Sequence, residues 1–206
     1  MNNVSIIEQA QSRMAVLDLQ SKLLQNNNIF LTEEVNEESI ATIQAELFYL
    51  ASKMTPEESK SDPITIYINS PGGEVYSCLG LYDVMQLFIN QGYVIRTINI
   101  GLAASAAAVI LLAGSKGYRY CLPHSTTMLH QPSSGTYGTI TDMKIAVEEG
   151  DRLKKLLNDI VIQHAGEQVV ELMERDAWIS PEEALKFNLI DENKYSFLWV
   201  TNFPMF

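Results

Sequence analysis

The stretch ITIYINSPGGEVYSCLGLYDVMQLF, residues 64–88, predicts a strand, a glycine turn and a helix in immediate succession. Its first seven residues are rich in β-branched side chains and favour a strand, whereas the residues from Val75 to Phe88 favour a helix. A second strand follows in YVIRTINI, residues 93–100, and a second helix from Ser105 to Ala113. Strand and helix in alternation indicate βαβ units, a mostly parallel sheet and the α/β fold class.

Further elements are predicted on both sides of this unit. Upstream, apolar spacing of the helical kind occurs in VLDLQSKLL (residues 16–24) and around Ile40 to Met54. A short strand, NNIFLTE (residues 27–33), lies between these two helices, and MTPEESKSDP (residues 54–63) is predicted as a surface loop. Downstream, GYRYCL and TTML are predicted as strands.

A long amphipathic helix is predicted outside the alternating unit, from Asp142 to His164. Its apolar residues recur at i, i+3, i+4, i+7 and i+8, which is the spacing of one apolar stripe. A shorter helix is expected near residues 169–175. Another follows in SPEEALKFN, where Ser180 is the predicted N-cap and Pro181 lies in the first turn.

Composition excludes several classes of partner. The 206 residues predict one domain, and a net charge of -11 leaves no basic field for nucleic acid or an anionic membrane. Cys78 and Cys121 lack metal-ligand spacing, so we expect reduced thiols buried as small hydrophobes and no metal site. No signal peptide or membrane-spanning run is found in the sequence, which favours a cytoplasmic protein without a membrane partner.

Two glycine-bearing turns follow predicted parallel strands and therefore point to the same edge of the sheet. Pro71-Gly72-Gly73 ends the first strand, and Gly101 precedes the small residues around Ser105. Backbone N–H groups of the first turn could stabilise an oxyanion. The small neighbours of Ser105 suit a nucleophile on a sharp strand-to-helix turn, but they suit close packing of a helix against the sheet equally well.

A base for such a nucleophile has to come from three histidines. His164 lies near the end of the long helix, where a cation is favourable, and His124 is predicted in a loop. His130 ends a strand at the same edge as Ser105 and is the best candidate by position. Asp176 follows a short helix beside apolar residues that could shield it, so it could orient the imidazole. Spacing alone does not establish a triad.

The segments IYINSPGG, GLAAS, KGYRYCLPHS, MLHQP and ERDAWISPEEALKFNLID resemble, in order, the signature segments of the caseinolytic (Clp) protease proteolytic subunit family, ClpP. The resemblance extends from about Ile6 to Asp191. It implies a ClpP/crotonase-like fold in one domain, residues 1–206, with a protruding strand–helix handle. Within it, residues 1–17 would form an N-terminal axial loop, residues 132–164 the handle and residues 192–206 a C-terminal tail.

The resemblance also implies a serine endopeptidase that cleaves unfolded polypeptides inside a ring-shaped chamber. By motif, its Ser-His-Asp triad falls on Ser105, His130 and Asp176, and its oxyanion donors are the backbone N–H groups of Gly73 and Ala106. No metal or other cofactor is implied for this subunit.

The family assembles as two stacked seven-membered rings and receives substrate from a Clp-family AAA+ ATPase. Arg175 would take part in ion pairs between the rings. ATP would be used by the partner, because this sequence has no G-x-x-x-x-G-K-[ST] loop. By motif, the apolar pocket that docks the ATPase would be lined by Tyr67, Leu87, Ile98, Ile100 and Tyr120, although each could be ordinary core.

Departures from the family pattern keep two alternatives open. Ser133-Ser134-Gly135 replaces a glycine pair, and Arg13 and Met14 replace a glycine and an acidic residue, which leaves the identity of the ATPase open. The alternatives to a protease are a structural ring subunit without cleavage and a crotonase-type acyl-CoA enzyme. The complete set of Ser105, His130 and Asp176 argues against both, because neither needs a triad.

Overall fold

A computed structural model of the chain describes residues 5–10 and 13–192. The elements of these residues, in chain order, are β1 (Ser5–Ala10), β2 (Arg13–Asp18), α1 (Leu19–Gln25), β3 (Asn28–Leu31), α2 (Glu37–Ala51), α3 (Pro56–Ser61), β4 (Ile64–Ser70), α4 (Val75–Asn90), β5 (Ile95–Ala104), α5 (Ala106–Leu112), β6 (Arg119–Cys121), β7 (Thr126–Leu129), α6 (Ile140–Ala165), α7 (Gln168–Leu172), β8 (Ala177–Ile179) and α8 (Pro181–Lys186). The predicted C-terminal tail lies outside the described residues except for Glu192.

The main sheet has the strand order β3-β4-β5-β7-β8, and β6 also pairs with β5. Strands β3, β4, β5, β6 and β7 run parallel, whereas β8 pairs with β7 in the antiparallel direction. The carboxyl ends of the parallel strands therefore meet the beginning of β8 at one edge. The predicted α/β class with a mostly parallel sheet is confirmed.

The core lies on one face of this sheet, against α2, α4 and α5. Alternate residues of β4, namely Ile64, Ile66 and Ile68, are fully buried there beside Leu81 of α4 and Leu47 of α2. Burial of each such side chain contributes about 1.5–3 kcal/mol relative to exposure. Helix α5 is buried along its whole length, which explains its run of alanine, valine, isoleucine and leucine.

Two predictions of local structure were wrong. Residues 54–63 are not a loop throughout but contain α3, because Thr55 and Glu58 form a reciprocal capping box and Pro56 begins the first turn. Residues 16–18 belong to β2 rather than to a helix, since they pair with β1 in a two-stranded antiparallel sheet. This hairpin occupies most of the segment predicted as an axial loop.

The handle segment contains its helix but no strand. Helix α6 spans 26 residues and extends slightly beyond the predicted Asp142 to His164 at both ends. Leu153, Leu157 and Val161 of its apolar stripe are buried, the last two within the core cluster, whereas Leu156 is exposed. Residues 131–139 before it form no strand within the described chain, because a strand needs a neighbour with which to exchange backbone hydrogen bonds. Aliphatic side chains of α6 are exposed at Ile140, Ile145, Val147, Leu156 and Ile162.

A buried ion pair ties β6 to the end of the described chain. The Arg119 guanidinium donates to both carboxylate oxygens of Asp191, with Nη2 to Oδ1 at 2.6 Å and Nε to Oδ2 at 3.0 Å. Burial raises the pKa of Asp191, but the hydrogen bonds and charge of Arg119 outweigh it, so that pKa lies below its ordinary value.

His164 sits beside this pair and is not the helix-end cation that the sequence predicted. Its Nε2 lies 2.9 Å from the Tyr82 hydroxyl. Burial of the imidazole and the positive charge of Arg119 lower its pKa to about 4, against a small opposing effect of Asp191. The favourable position at a helix C-terminus is overridden because the ring is desolvated and faces a guanidinium.

The pKa of His164 predicts a loss of stability in mild acid. The unfolded chain binds a proton at His164 near pH 6.5 and the folded chain only near pH 4, so the free energy of unfolding falls as the pH falls between these values. In chemical denaturation across this range, we expect the His164→Gln variant to lose less stability than the wild type. His124→Gln, in an exposed loop, is the control, and equal losses in both variants would contradict the assignment.

Two negative findings apply to residues 5–10 and 13–192. No helix among them is long and apolar enough to cross a membrane. No cluster of His, Cys, Asp or Glu among them could hold a metal ion. Cys78 and Cys121 are both free thiols; the first is buried and the second half-buried.

Candidate active site

Four strand ends meet at one edge of the sheet and bring the predicted site together. Strand β4 ends before the Pro71-Gly72-Gly73 turn, β5 before Ser105 and β7 before His130. Because β8 is antiparallel to β7, Leu129 pairs with Ala177, and this register places Asp176 beside His130. Topology thus assembles residues that are far apart in the sequence.

Ser105 occupies a strained turn between β5 and α5. Its φ of 54° and ψ of -121° are rarely adopted by a residue with a side chain, and its N–H donates to the Met128 carbonyl at 2.8 Å. The strand-to-helix position matches the nucleophile elbow of other hydrolases, although the surrounding residues are alanines rather than glycines. Close packing alone does not require this backbone conformation.

The three predicted triad residues form one chain of hydrogen bonds. The Ser105 hydroxyl lies 2.8 Å from Nε2 of His130. On the other side of the ring, Nδ1 lies 3.2 Å from Oδ1 of Asp176. With the proton on Nδ1, the imidazole donates to the carboxylate and accepts from the serine, which is the arrangement that general-base catalysis needs.

Asp176 is less shielded than the sequence predicted. Its side chain is 65 % exposed, whereas that of His130 is only 24 % exposed. The residue lies just before a three-residue strand at the edge of the sheet, so no further strand covers it within the described chain. The expectation of apolar shielding was therefore wrong for the single chain.

Two backbone N–H groups beside the elbow donate to no acceptor among residues 5–10 and 13–192. The turn is held by Val35, whose N–H donates to the Gly72 carbonyl and whose carbonyl accepts from the Glu74 N–H, both at 2.8 Å. This pairing leaves the Gly73 N–H without an acceptor among the described residues. The Ala106 N–H, at the first position of α5, also has none there. Both are the donors that the resemblance implied for the oxyanion.

Gly72 is the site residue whose importance the sequence analysis missed. A Cβ atom on Gly72 would overlap the Ala104 oxygen and would lie 2.8 Å from Cβ of Ser105 and 2.9 Å from the Ala106 nitrogen. Its φ of +87° also favours glycine. The Pro-Gly-Gly sequence signalled a turn, but only the tertiary contact shows that this turn rests directly on the elbow.

An apolar pocket opens beside Ser105 and His130. Its walls come from α4, α5, α6 and the segments around β7 and α7, and the described residues that line it include no charged side chain. The remaining lining residues are Val75, Cys78, Ala106, Val109, Leu129, Pro132, Leu157 and Met173. A side chain of an extended substrate could enter this pocket next to the nucleophile.

Four of the five residues predicted to dock an ATPase lie on one sheet face. Three of them are paired directly across β4, β5 and β6, namely Tyr67, Ile98 and Tyr120. Phe30 of β3, which was not predicted, extends this row, and its ring stacks on that of Tyr67 with the ring centres 5.0 Å apart. Ile100 follows on the same face two residues after Ile98. Leu87 is exposed on α4, in the helical layer on the opposite side, so a single chain does not bring it to this row.

Arg175 is exposed beside the triad, and its guanidinium makes no ion pair with the described residues. The neighbouring Glu174 is paired instead with Lys154 of α6, at 2.9 Å. Ion pairing of Arg175 with another chain stays a prediction.

Comparison with known proteins decides the family. The family model described as Clp protease matches residues 10–193. The chain belongs to the Clp protease family. The resemblance seen in the signature segments is therefore confirmed, as are the ClpP-like α/β fold and the assignment to serine-type peptidases.

Curated Clp proteins from three bacteria are similar over most of their length. One from Porphyromonas gingivalis is 42% identical over 194 residues, which cover 91% of this chain and 82% of the relative. One from Bacteroides fragilis is 42% identical over 193 residues, which cover 92% of this chain and 89% of the relative. One from Bacteroides thetaiotaomicron is also 42% identical over 193 residues, which cover 92% of this chain and 84% of the relative. Each is named ATP-dependent Clp protease proteolytic subunit.

Proposed function

We propose that this chain is the proteolytic subunit of an ATP-dependent Clp protease, a serine endopeptidase that cleaves unfolded polypeptides to short peptides. The observation that carries the proposal is the hydrogen-bonded series Ser105–His130–Asp176 at a strained elbow beside two free N–H groups. Neither a structural subunit nor an acyl-CoA enzyme of the crotonase type has a use for this series.

The geometry supports the following reaction. Ser105 Oγ attacks the carbonyl carbon of the scissile peptide while its proton passes to Nε2 of His130. The carbonyl oxygen becomes an oxyanion that accepts from the N–H groups of Gly73 and Ala106. His130 then donates the proton to the leaving amine as the C–N bond breaks.

Water completes the cycle by the same steps in reverse order. His130 takes a proton from the water molecule that attacks the acyl carbon, and returns it to Ser105 Oγ when the peptide acid leaves. Asp176 accepts from Nδ1 throughout, so it keeps Nε2 facing the serine and stabilises the imidazolium.

The proposal includes a ring assembly. We place α6 and residues 131–139 between two stacked seven-membered rings, since this segment exposes aliphatic side chains and residues 131–139 pair with no strand in the part of the chain that the structure describes. A neighbouring chain would supply that partner and would cover Asp176 and Arg175. Assembly would then complete the shielding that the triad lacks in one chain.

A separate AAA+ ATPase of the Clp family would supply unfolded substrate and use the ATP. The row of Phe30, Tyr67, Ile98 and Tyr120 offers an apolar surface on the face opposite the core, which suits an inserted loop of such a partner. The subunit itself would need no cofactor, and we place the assembled protease in the cytoplasm.

Labelling with a serine-reactive phosphonate tests the proposal. Wild-type protein, shown by native mass spectrometry to be a double ring, should gain one adduct per chain, because His130 makes Ser105 nucleophilic. Ser105→Ala and His130→Ala should gain none. Labelling of Ser105→Ala to the wild-type extent would overturn the assignment of the nucleophile, and no adduct on wild-type rings with a Clp ATPase present would favour the structural subunit.

A further inference from the structure

The pocket beside the nucleophile contains a cysteine that the proposed mechanism does not use. Cys78 is fully buried on the first turns of α4, one helical turn after Val75. Its thiol donates to the Ala106 carbonyl at 3.3 Å. The sulfur atom therefore lies against the residue that follows Ser105 and closes the pocket on that side.

The thiol is part of an apolar wall and not a second nucleophile. Burial raises the pKa of Cys78 to about 12, so the sulfur stays protonated and keeps its hydrogen bond to the carbonyl. A buried neutral thiol packs as a small hydrophobic group. Cys78 therefore affects the pocket by occupying space, because its hydrogen bond holds the sulfur atom in one position.

The space that remains is small. The cavity between Cys78, Ser105 and the other lining residues measures about 20 Å³, roughly the room that one water molecule needs. Leu129, Val109 and Met173 are also buried in this wall, so close packing prevents them from moving aside without cost. A space of this size would suit a side chain as small as a methyl group, and a branched side chain would need additional room such as the volume that the Cys78 sulfur occupies.

We infer that Cys78 determines which substrate residue precedes the scissile bond, by restricting this position to small side chains such as alanine. The inference rests on the proposed peptidase function and deepens it by naming the specificity of the same site. Cys78 does not touch the reacting atoms, so its expected effect is on the choice between substrates and not on the chemical step.

The test compares two fluorogenic peptides that are identical except for alanine or leucine before the scissile bond. We expect the wild type to prefer alanine in kcat/KM, and Cys78→Ala to shift the leucine-to-alanine ratio by about tenfold toward leucine, since added room for methylene groups changes discrimination by about 10–200-fold. Taking the ratio within one variant cancels differences in the folded fraction.

Two further variants separate size from thiol chemistry and from stability. Cys78→Ser keeps a donor to the Ala106 carbonyl and nearly the same volume, so its ratio should stay within about twofold of the wild-type value. Cys121→Ala removes the other free thiol, on β6 away from the pocket, and should leave the ratio unchanged.

The outcomes distinguish this inference from the proposed function. Ser105-dependent cleavage with the same ratio in wild type and Cys78→Ala would overturn the role of Cys78 alone. A shift in Cys78→Ser as large as that in Cys78→Ala would show that the thiol group and not its volume matters, which also overturns the inference. Absence of Ser105-dependent cleavage of either peptide would overturn the proposed function and the inference with it.

Discussion

Ser105→Ala is expected to lower kcat for peptide cleavage by at least about 10⁴-fold while the fold and the assembly stay intact. In the proposed mechanism the substitution removes the oxygen that forms the acyl intermediate, and loss of a triad serine costs up to about 10⁶-fold in a well-studied peptidase. Alanine has a Cβ like serine, so the strained backbone at φ 54° is no more costly than before. Fluorogenic peptide turnover, measured beside a thermal unfolding curve, checks both parts.

A matched control guards against a general effect of removing a hydroxyl group. Ser52 donates its hydroxyl to the Tyr49 carbonyl at the end of α2, away from the site, so Ser52→Ala should keep wild-type turnover. If Ser105 is the nucleophile, neither His130 nor water can replace it at the wild-type rate. Wild-type turnover by purified Ser105→Ala rings would therefore contradict the assignment.

Gly72→Ala is expected to reduce turnover by about 10³-fold although it adds a single methyl group. The added Cβ would overlap the Ala104 oxygen and would lie 2.8 Å from Cβ of Ser105, so the turn has to move away from the elbow. That movement displaces the Gly73 N–H from the oxyanion and disturbs Ser105 at the same time. Loss of one oxyanion donor alone costs about 10²–10³-fold.

The chain supplies a close control for the backbone cost of this substitution. Gly117 has a φ of +88°, almost the +87° of Gly72, but a Cβ there would meet nothing within 4 Å. Gly117→Ala should therefore show the conformational cost alone, about 1 kcal/mol or more of unfolding free energy, with nearly normal turnover per folded chain. Equal loss of turnover per folded chain in both variants would contradict a role for the Gly72 contact.

Two errors of the sequence analysis had different origins, one in contacts between distant segments and one in a local signal. His164 was expected to be a cation because it ends a long helix, yet burial of its ring and the positive charge of Arg119 on another element lower its pKa to about 4. The stretch after Met54 reads as a loop by composition, although its Thr-Pro-Glu-Glu sequence contains a capping box. The first error needed the fold, whereas the second could have been avoided from the sequence.

The sequence by itself predicted the mostly parallel sheet with its central alternation of strands and helices, and its resemblance to the family implied Ser105, His130 and Asp176 as the triad. The sheet follows from the local periodicity of apolar residues. The triad follows from short motifs whose residues are contiguous in the sequence, such as GLAAS and MLHQP.

Only the tertiary structure decided how those residues meet. The antiparallel direction of β8 brings Asp176 to His130, Gly72 rests against Ser105, and Cys78 closes the pocket beneath Ala106. Each is a contact between segments more than 25 residues apart, whose geometry depends on register and helix packing rather than on local preference.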